Sequence, residues 1–446
     1  MVASPDAITA ESCIDLLSQY RHIRSLSERY CAPLEHEDYG LQACAETSPA
    51  KWHLAHTSWF FETFLLKPFV ANYQPYNDRF EYLFNSYYNG IGAQFPRAQR
   101  GLLSRPTVSE IYAYRRAVDD AMYLLLASDV VQKTDVLSRI TLGLQHEMQH
   151  QELFFTDLKY NFSVNPLLPT YQPLTDPWLE PEPPAFEWRA FENGISLIGT
   201  TNSESDAHTV FDSFCFDNET PQHRVFLEPF SLANRPLTNA EVLAFIHDGG
   251  YQNSALWLAD GWQKIQTEHW QHPLYWVQRD NAWFEFTLHG LQPLDPHRTA
   301  CHLSAYEADA LARWMDARLP TEFEWECAAQ RYNATHGISE TDALTQSLAN
   351  GHFVDHEHYH PRAANPDTLF GGIWEWTSSA YSPYPGFKTP AGAIGEYNGK
   401  FMCNQLVLRG GSCVSDRRQL RASYRNFFYP PDRWQFSGVR LAKDRR

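Results

Sequence analysis

The chain has 446 residues, 43% of them hydrophobic and 20% charged, with 36 basic residues against 53 acidic ones and a net charge of −17. That balance excludes a disordered or collagen-like chain, and at about 150 residues per domain it leaves room for two or three domains. The acidic excess repels phosphate backbones and anionic bilayers, so neither nucleic acid nor a membrane is expected as a partner.

The N-terminal stretch MVASPDAITAESCIDLL lacks the basic start and apolar run of a secretion signal, and no run of about 18 uncharged apolar residues follows. Residues 1–162 read as helical. A first helix is expected over Ala7–Tyr30. A second begins at Ser48-Pro49, read as a cap followed by proline at the first helical position, and runs towards Leu66. A third starts near Ser109 and a fourth covers Val136–Lys159. Four such helices suit a four-helix bundle. The connection Lys67–Val108 is too long for a turn and carries NSYYNGIGAQFPRAQRGLLSRP, and long loops on rigid scaffolds often carry function.

Residues 163–184 hold seven prolines, Pro166, Pro169, Pro173, Pro177, Pro181, Pro183 and Pro184, which read as an extended, semi-rigid linker. Residues 185–446 are rich in Gly, Pro and Trp and lack long periodic stretches. Short helices are expected at Asn239–Asp248 and Ala305–Asp316, with short strands and loops elsewhere: an α+β domain without internal repeats. The eight cysteines (Cys13, Cys31, Cys44, Cys215, Cys301, Cys327, Cys403 and Cys413) are scattered and form no C-x-x-C pair, the pattern of reduced thiols in a cytoplasmic protein.

The strongest chemical signal is His146-Glu147-Met148-Gln149-His150 in a helical context. Histidines at i and i+4 share a helix face and can hold one divalent ion. The string also fits the H-E-x-x-H motif of zinc proteases, with Glu147 as base. The continuation that would bring a third ligand is missing, because Leu153 and Thr156 stand in its positions, and no acidic residue lies in Asn161–Thr175. The second helix offers His56 on one face with Trp52 and Trp59, and His53 as the competing ligand. Three neutral imidazoles would leave a divalent ion its full charge and, at six-coordination, three open positions.

Two stretches, SPAKWHLAHTSWFFETFLL and QHEMQHQEL, resemble the DinB-like bundle of the ergothioneine-pathway sulfoxide synthases. In the second half, ENGISLIGT, LPTEFEWECAA, GGIWEWTSSAYSPYPGF, LRGGSC and YRNFFYPPDRWQFSGVRLA resemble the formylglycine-generating-enzyme/sulfatase-modifying domain. The resemblance implies an α+β multidomain protein: an N-terminal DinB-like four-helix bundle and a C-terminal C-type-lectin-like α+β domain. It implies oxidative C–S bond formation, in which Fe(II) and O2 join a thiol sulfur to the imidazole carbon of hercynine and leave a sulfoxide. Formylglycine-generating enzymes bind copper with two cysteines near the C-terminus. Here Cys413 has no second cysteine after it, which disfavours that activity.

Residue by residue, the resemblance implies His56, His146 and His150 as iron ligands. Gln149 would hold the hercynine imidazole, and Asn426, Phe427 and Phe428 its carboxylate and trimethylammonium group, which aromatic faces attract. Tyr87 and Tyr88 resemble the catalytic tyrosine pair of the branch that uses free cysteine. Tyr381 and Tyr384 lie where a γ-glutamylcysteine-using branch places its tyrosine. Arg97, with Arg100 as second choice, could bind the cysteine carboxylate, and Arg433 is a further candidate. A selenoneine synthase is the near variant of this reading. The other classes are a zinc-dependent thiol transferase and a non-catalytic binding protein. The histidine-rich stretch at 352–360 reads as structural or surface.

Overall fold

The computed structural model describes residues 10–174, 179–201, 214–331, 340–366 and 368–445. The expected helix start at Ala7 and the linker residue Pro177 lie outside them. The chain divides into two compact units. Among the described residues, the first holds everything up to Val164 together with Phe214 and Pro390–Tyr397, and the second holds the remainder.

Four helices build the first unit: α1 (Ala10–Cys31), α2 (Ala50–Phe61), α3 (Val108–Leu126) and α4 (Thr134–Ser163). A tight capping box starts α3: Glu110 N–H donates to Thr107 Oγ1, and Thr107 N–H donates to the Glu110 carboxylate. The start of α2 differs from expectation. Pro49 is itself the cap residue and makes no side-chain cap bond. Ser48 is spent elsewhere, its N–H on Asp157 and its hydroxyl on Arg100. After Phe61 the helix widens into a π-turn over Glu62–Leu66. The buried Glu62 carboxylate accepts from the Tyr73 hydroxyl, the Tyr76 N–H and the Tyr114 hydroxyl there, which satisfies it without a cation.

Nearly every residue of α2 is buried, because it packs against α1, α3 and α4 at once. A Cβ at Gly143 of α4 would lie 2.6 Å from Phe61 Cε1, so glycine at that point lets α4 come close to α2. The long connection between α2 and α3 forms a single helical turn at Phe80–Phe84 and a 3-10 turn at Arg97–Leu102.

The second unit is α+β. Its main sheet has the order β10-β9-β8-β11, from β8 (Trp374–Ala380), β9 (Leu406–Arg409), β10 (Asn426–Phe428) and β11 (Ser437–Gly438). β1 (Trp188–Phe191), β4 (Phe230–Ala233) and β12 (Ala442–Asp444) form a second sheet in the order β1-β4-β12. An antiparallel pair, β2 (Gly194–Ile198) with β3 (His223–Leu227), and the meander β5 (Trp276–Arg279), β6 (Ala282–Thr287) and β7 (Gly290–Pro293) complete it. The two expected helices are present at Asn239–His247 and Ala305–Trp314. Three more, Ala259–Glu268, Glu322–Arg331 and Glu340–Asn350, were not expected. The described part of the proline-rich stretch is fastened to this unit: Tyr171 N–H donates to Leu288, Arg235 donates to Pro184, and Glu180 pairs with Arg362. The seven described cysteines are free thiols. No described helix is long and apolar enough to cross a membrane.

Candidate metal centre

His56, His146 and His150 converge in the first unit, each offering a nitrogen within 4.8 Å of the others. α2 carries the first and α4 the other two, one turn apart. His56 is clamped between two indoles of its own helix, Trp52 at 4.5 Å and Trp59 at 5.3 Å, both nearly parallel to it. Its Nδ1 donates to the Phe84 carbonyl at 2.6 Å, which leaves Nε2 as the ligand atom. That Nε2 lies 3.1 Å from His146 Nε2, while His146 Nδ1 is buried without a hydrogen-bond partner among the described residues.

Burial, reinforced by neighbouring imidazoles, holds all three histidines below their ordinary pKa, His146 at about 3. They are therefore uncharged at neutral pH, the form that ligates a metal. Three neutral nitrogens around one point, with no carboxylate or thiolate among them, fit a divalent transition-metal ion.

Glu147 points away from this centre. Its Oε1 accepts from Ser27 at 2.6 Å and Arg115 at 2.5 Å, and its Oε2 from Arg24 at 2.9 Å. Arg24 also binds Asp119 at 2.7 Å. Burial alone would raise the Glu147 pKa, but the two guanidiniums and the Ser27 hydroxyl outweigh it and hold the carboxyl at about 2. A carboxylate committed on both oxygens cannot serve as a protease base, so the zinc-protease reading of the motif falls.

His53 sits beside His150, Nδ1 to Nδ1 at 2.9 Å, with Asp157 on its other nitrogen at 3.1 Å. A small cavity of about 20 Å³, lined by His53, His150, Leu54 and Phe154 among others, adjoins the pair and has room for one water-sized molecule.

Tyr87 and Tyr88 stack on each other at 4.6 Å. Tyr88 is fully buried against Phe64 and against Trp59, the ring that stacks on His56. Burial drives its pKa well upward, so its hydroxyl stays protonated. A third tyrosine belongs to the same unit and escaped the sequence reasoning. The Tyr397 ring is 5.8 Å from that of His146, and its hydroxyl donates to the Gln149 side-chain oxygen. The preceding Glu396 accepts the N–H groups of Asn89 and Gly90, pinning the turn that follows the tyrosine pair.

The two loop arginines differ. Arg97 is exposed, and its guanidinium donates to the Glu46 carbonyl. Arg100 is buried over the Trp52 ring at 3.4 Å, donates to the Ser48 and Ser86 hydroxyls, and makes no ion pair among the described residues. Burial, then the Arg97 charge, lowers its pKa to about 8. The Asp157 charge offsets part of that lowering.

The remaining candidates lie in the second unit. Asn426, Phe427 and Phe428 are half-buried on β10. Phe427 stacks on Tyr381 at 4.1 Å, with Phe401 6.0 Å away, and Phe428 meets Trp434 edge-on. The Tyr381 hydroxyl accepts from Asn218 at 2.9 Å. Tyr384 lies in a buried network with Arg409 and Glu322, and Arg433 pairs with Glu307. His352 stacks nearly parallel to His356 and His358. Parallel rings aim their lone pairs side by side rather than at one ion, which agrees with a structural role.

Residues 192–445 match the model of the sulfatase-modifying factor enzyme 1-like domain. The chain is 30% identical to hercynine oxygenase of Mycolicibacterium smegmatis over 89% of its own length and 91% of the relative. It is equally similar to hercynine oxygenase of Mycolicibacterium thermoresistibile, 30% over 89% of this chain and 87% of the relative. The formylglycine-generating enzyme of Streptomyces coelicolor is 27% identical over 51% of this chain and 81% of that protein.

Glu147→Gln should destabilise the protein by about 3–5 kcal/mol at pH 7, because it strips a buried anion from two buried cations. The folded-state pKa is depressed, so this stability is present above pH 4.5 and is lost as pH falls towards 2. Urea titrations of both proteins should therefore show a gap that closes across that window; a gap independent of pH would refute the assignment.

Proposed function

The chain belongs to the hercynine oxygenase family of ergothioneine biosynthesis, and from that membership we propose that it is a non-haem Fe(II)- and O2-dependent sulfoxide synthase. It joins the sulfur of cysteine to the imidazole carbon of hercynine. One C–H and one S–H bond break, the C–S and S–O bonds form, and O2 takes up four electrons, one oxygen leaving as water. The observation that carries the reading is the convergence of His56, His146 and His150. These three residues would hold an iron(II) ion, which would supply the O2 chemistry when bound.

The protein's own groups do the rest. Arg100, which makes no ion pair among the described residues, binds the cysteine carboxylate. Arg97, the first choice from sequence, already holds a backbone carbonyl. The Gln149 amide, steadied by Tyr397, orients the hercynine imidazole. Within the second unit, Phe427 and Phe428 are the aromatic faces, and Asn426 the polar group, of the kind that a trimethylammonium and a carboxylate attract. Tyr87 and Tyr88 supply a phenolic proton from a pocket that shields Tyr88 from water, a kind of contribution typically worth about 10²–10⁴-fold.

Aerobic turnover of the iron-loaded protein with hercynine and cysteine, read by mass spectrometry, tests the reaction. Hercynyl-cysteine sulfoxide is expected, and His56→Ala should abolish it. Parallel arms with γ-glutamylcysteine and a selenium donor fix the chalcogen source. Tightly held zinc with no O2 consumption would overturn the proposal in favour of a thiol transferase. Arg100→Gln should raise the KM for cysteine by tenfold or more and leave that for hercynine within about twofold; equal effects on both would remove Arg100 from cysteine binding.

A further inference from the structure

We propose that Asp157 and His53 form an outer relay that fixes the tautomer of His150 and strengthens it as a metal donor, so that His53 is a positioning residue and not a ligand. The inference rests on the metal reading of the three histidines. Asp157 Oδ2 lies 3.1 Å from His53 Nε2 and also accepts the Ser48 N–H at 2.8 Å. His53 Nδ1 lies 2.9 Å from His150 Nδ1. Both relay residues are buried, His53 at 5% and Asp157 at 3% exposure.

The direction of the first bond follows from one fact: a carboxylate only accepts. His53 must therefore carry its proton on Nε2. On the metal reading His150 ligates through Nε2 and donates from Nδ1, so His53 Nδ1 is the acceptor. His56 reaches the same outcome by a different route, through the Phe84 carbonyl. A carbonyl is neutral, whereas Asp157 places a full charge two hydrogen bonds from the centre. A carboxylate behind a ligating imidazole raises its basicity, and losing such a partner typically costs about 10–100-fold in metal affinity.

The spacing makes the relay a property of the two helices. His53 is three residues before His56 on α2, and Asp157 is seven residues after His150 on α4, so the relay closes from α4 to α2 and back to α4. His53 thus shares a helix face with a ligand without being one.

Anaerobic Co(II) titration, followed by the visible ligand-field spectrum, separates the possibilities. In Asp157→Asn the side-chain oxygen can still accept both bonds, so the geometry persists and only the charge is lost. Cobalt affinity should fall about tenfold with a shifted spectrum and an unchanged urea midpoint. His53→Gln keeps an acceptor and a donor and should bind cobalt more tightly than His53→Leu. Wild-type affinity and spectrum in Asp157→Asn, or equal affinities in the two His53 variants, would overturn the relay alone. Failure of the wild-type protein to bind one equivalent of cobalt would overturn the metal reading and the relay with it.

Discussion

The buried ion cluster of Arg24, Glu147 and Arg115 is the constraint on which the first unit depends. A charge in the interior is costly unless it is paired and hydrogen-bonded on every side. Glu147 meets that condition in only one orientation of α4, with Ser27 and Arg24 of α1 and Arg115 of α3 around it. Neighbouring residues on a helix point about 100° apart. Fixing Glu147 towards α1 and α3 therefore turns His146 and His150 towards α2. The acidic residue inside the H-E-x-x-H string thus sets the rotation of the helix that carries the ligands.

α2 is held with equal firmness by different means. Its aromatic residues stack above and below His56, and the π-turn after Phe61 is stabilised by the fully satisfied Glu62. A histidine wedged between two indoles has few rotamers left, so little conformational freedom remains to be lost when a ligand arrives. The outer side chains follow the same logic. Phe84 fixes His56, Asp157 fixes the neighbouring His53, and Tyr397 fixes the Gln149 side chain.

What the sequence made legible was what lies close along the chain. The i, i+4 histidines, the tryptophan-flanked His56 and the long connection after α2 all depend on local spacing. Long-range pairings were not legible. Tyr397 is 248 residues from Gln149, and no pattern in a single sequence ties them together. Arg97 and Arg100 look alike in the sequence; only the structure separates the exposed one from the one buried over Trp52. His53 and His56 were competing ligands because both stand in the same turn of α2, and the carboxylate that distinguishes them lies on α4. In the second unit, short helices such as Glu322–Arg331 were missed because their carboxylates, Glu322, Glu324 and Glu326, are buried against arginines and mask the usual apolar stripe.

On the proposed function, three histidines and no other side chains hold one iron(II) ion. X-ray absorption of the anaerobically iron-loaded protein counts them directly. One iron per chain is expected, with three imidazole nitrogens and no sulfur from the protein, and two imidazoles on mutation of His56 but still three on mutation of His53 to Gln. Loss of an imidazole from the His53 variant, or sulfur in the shell before any thiol is added, would contradict it.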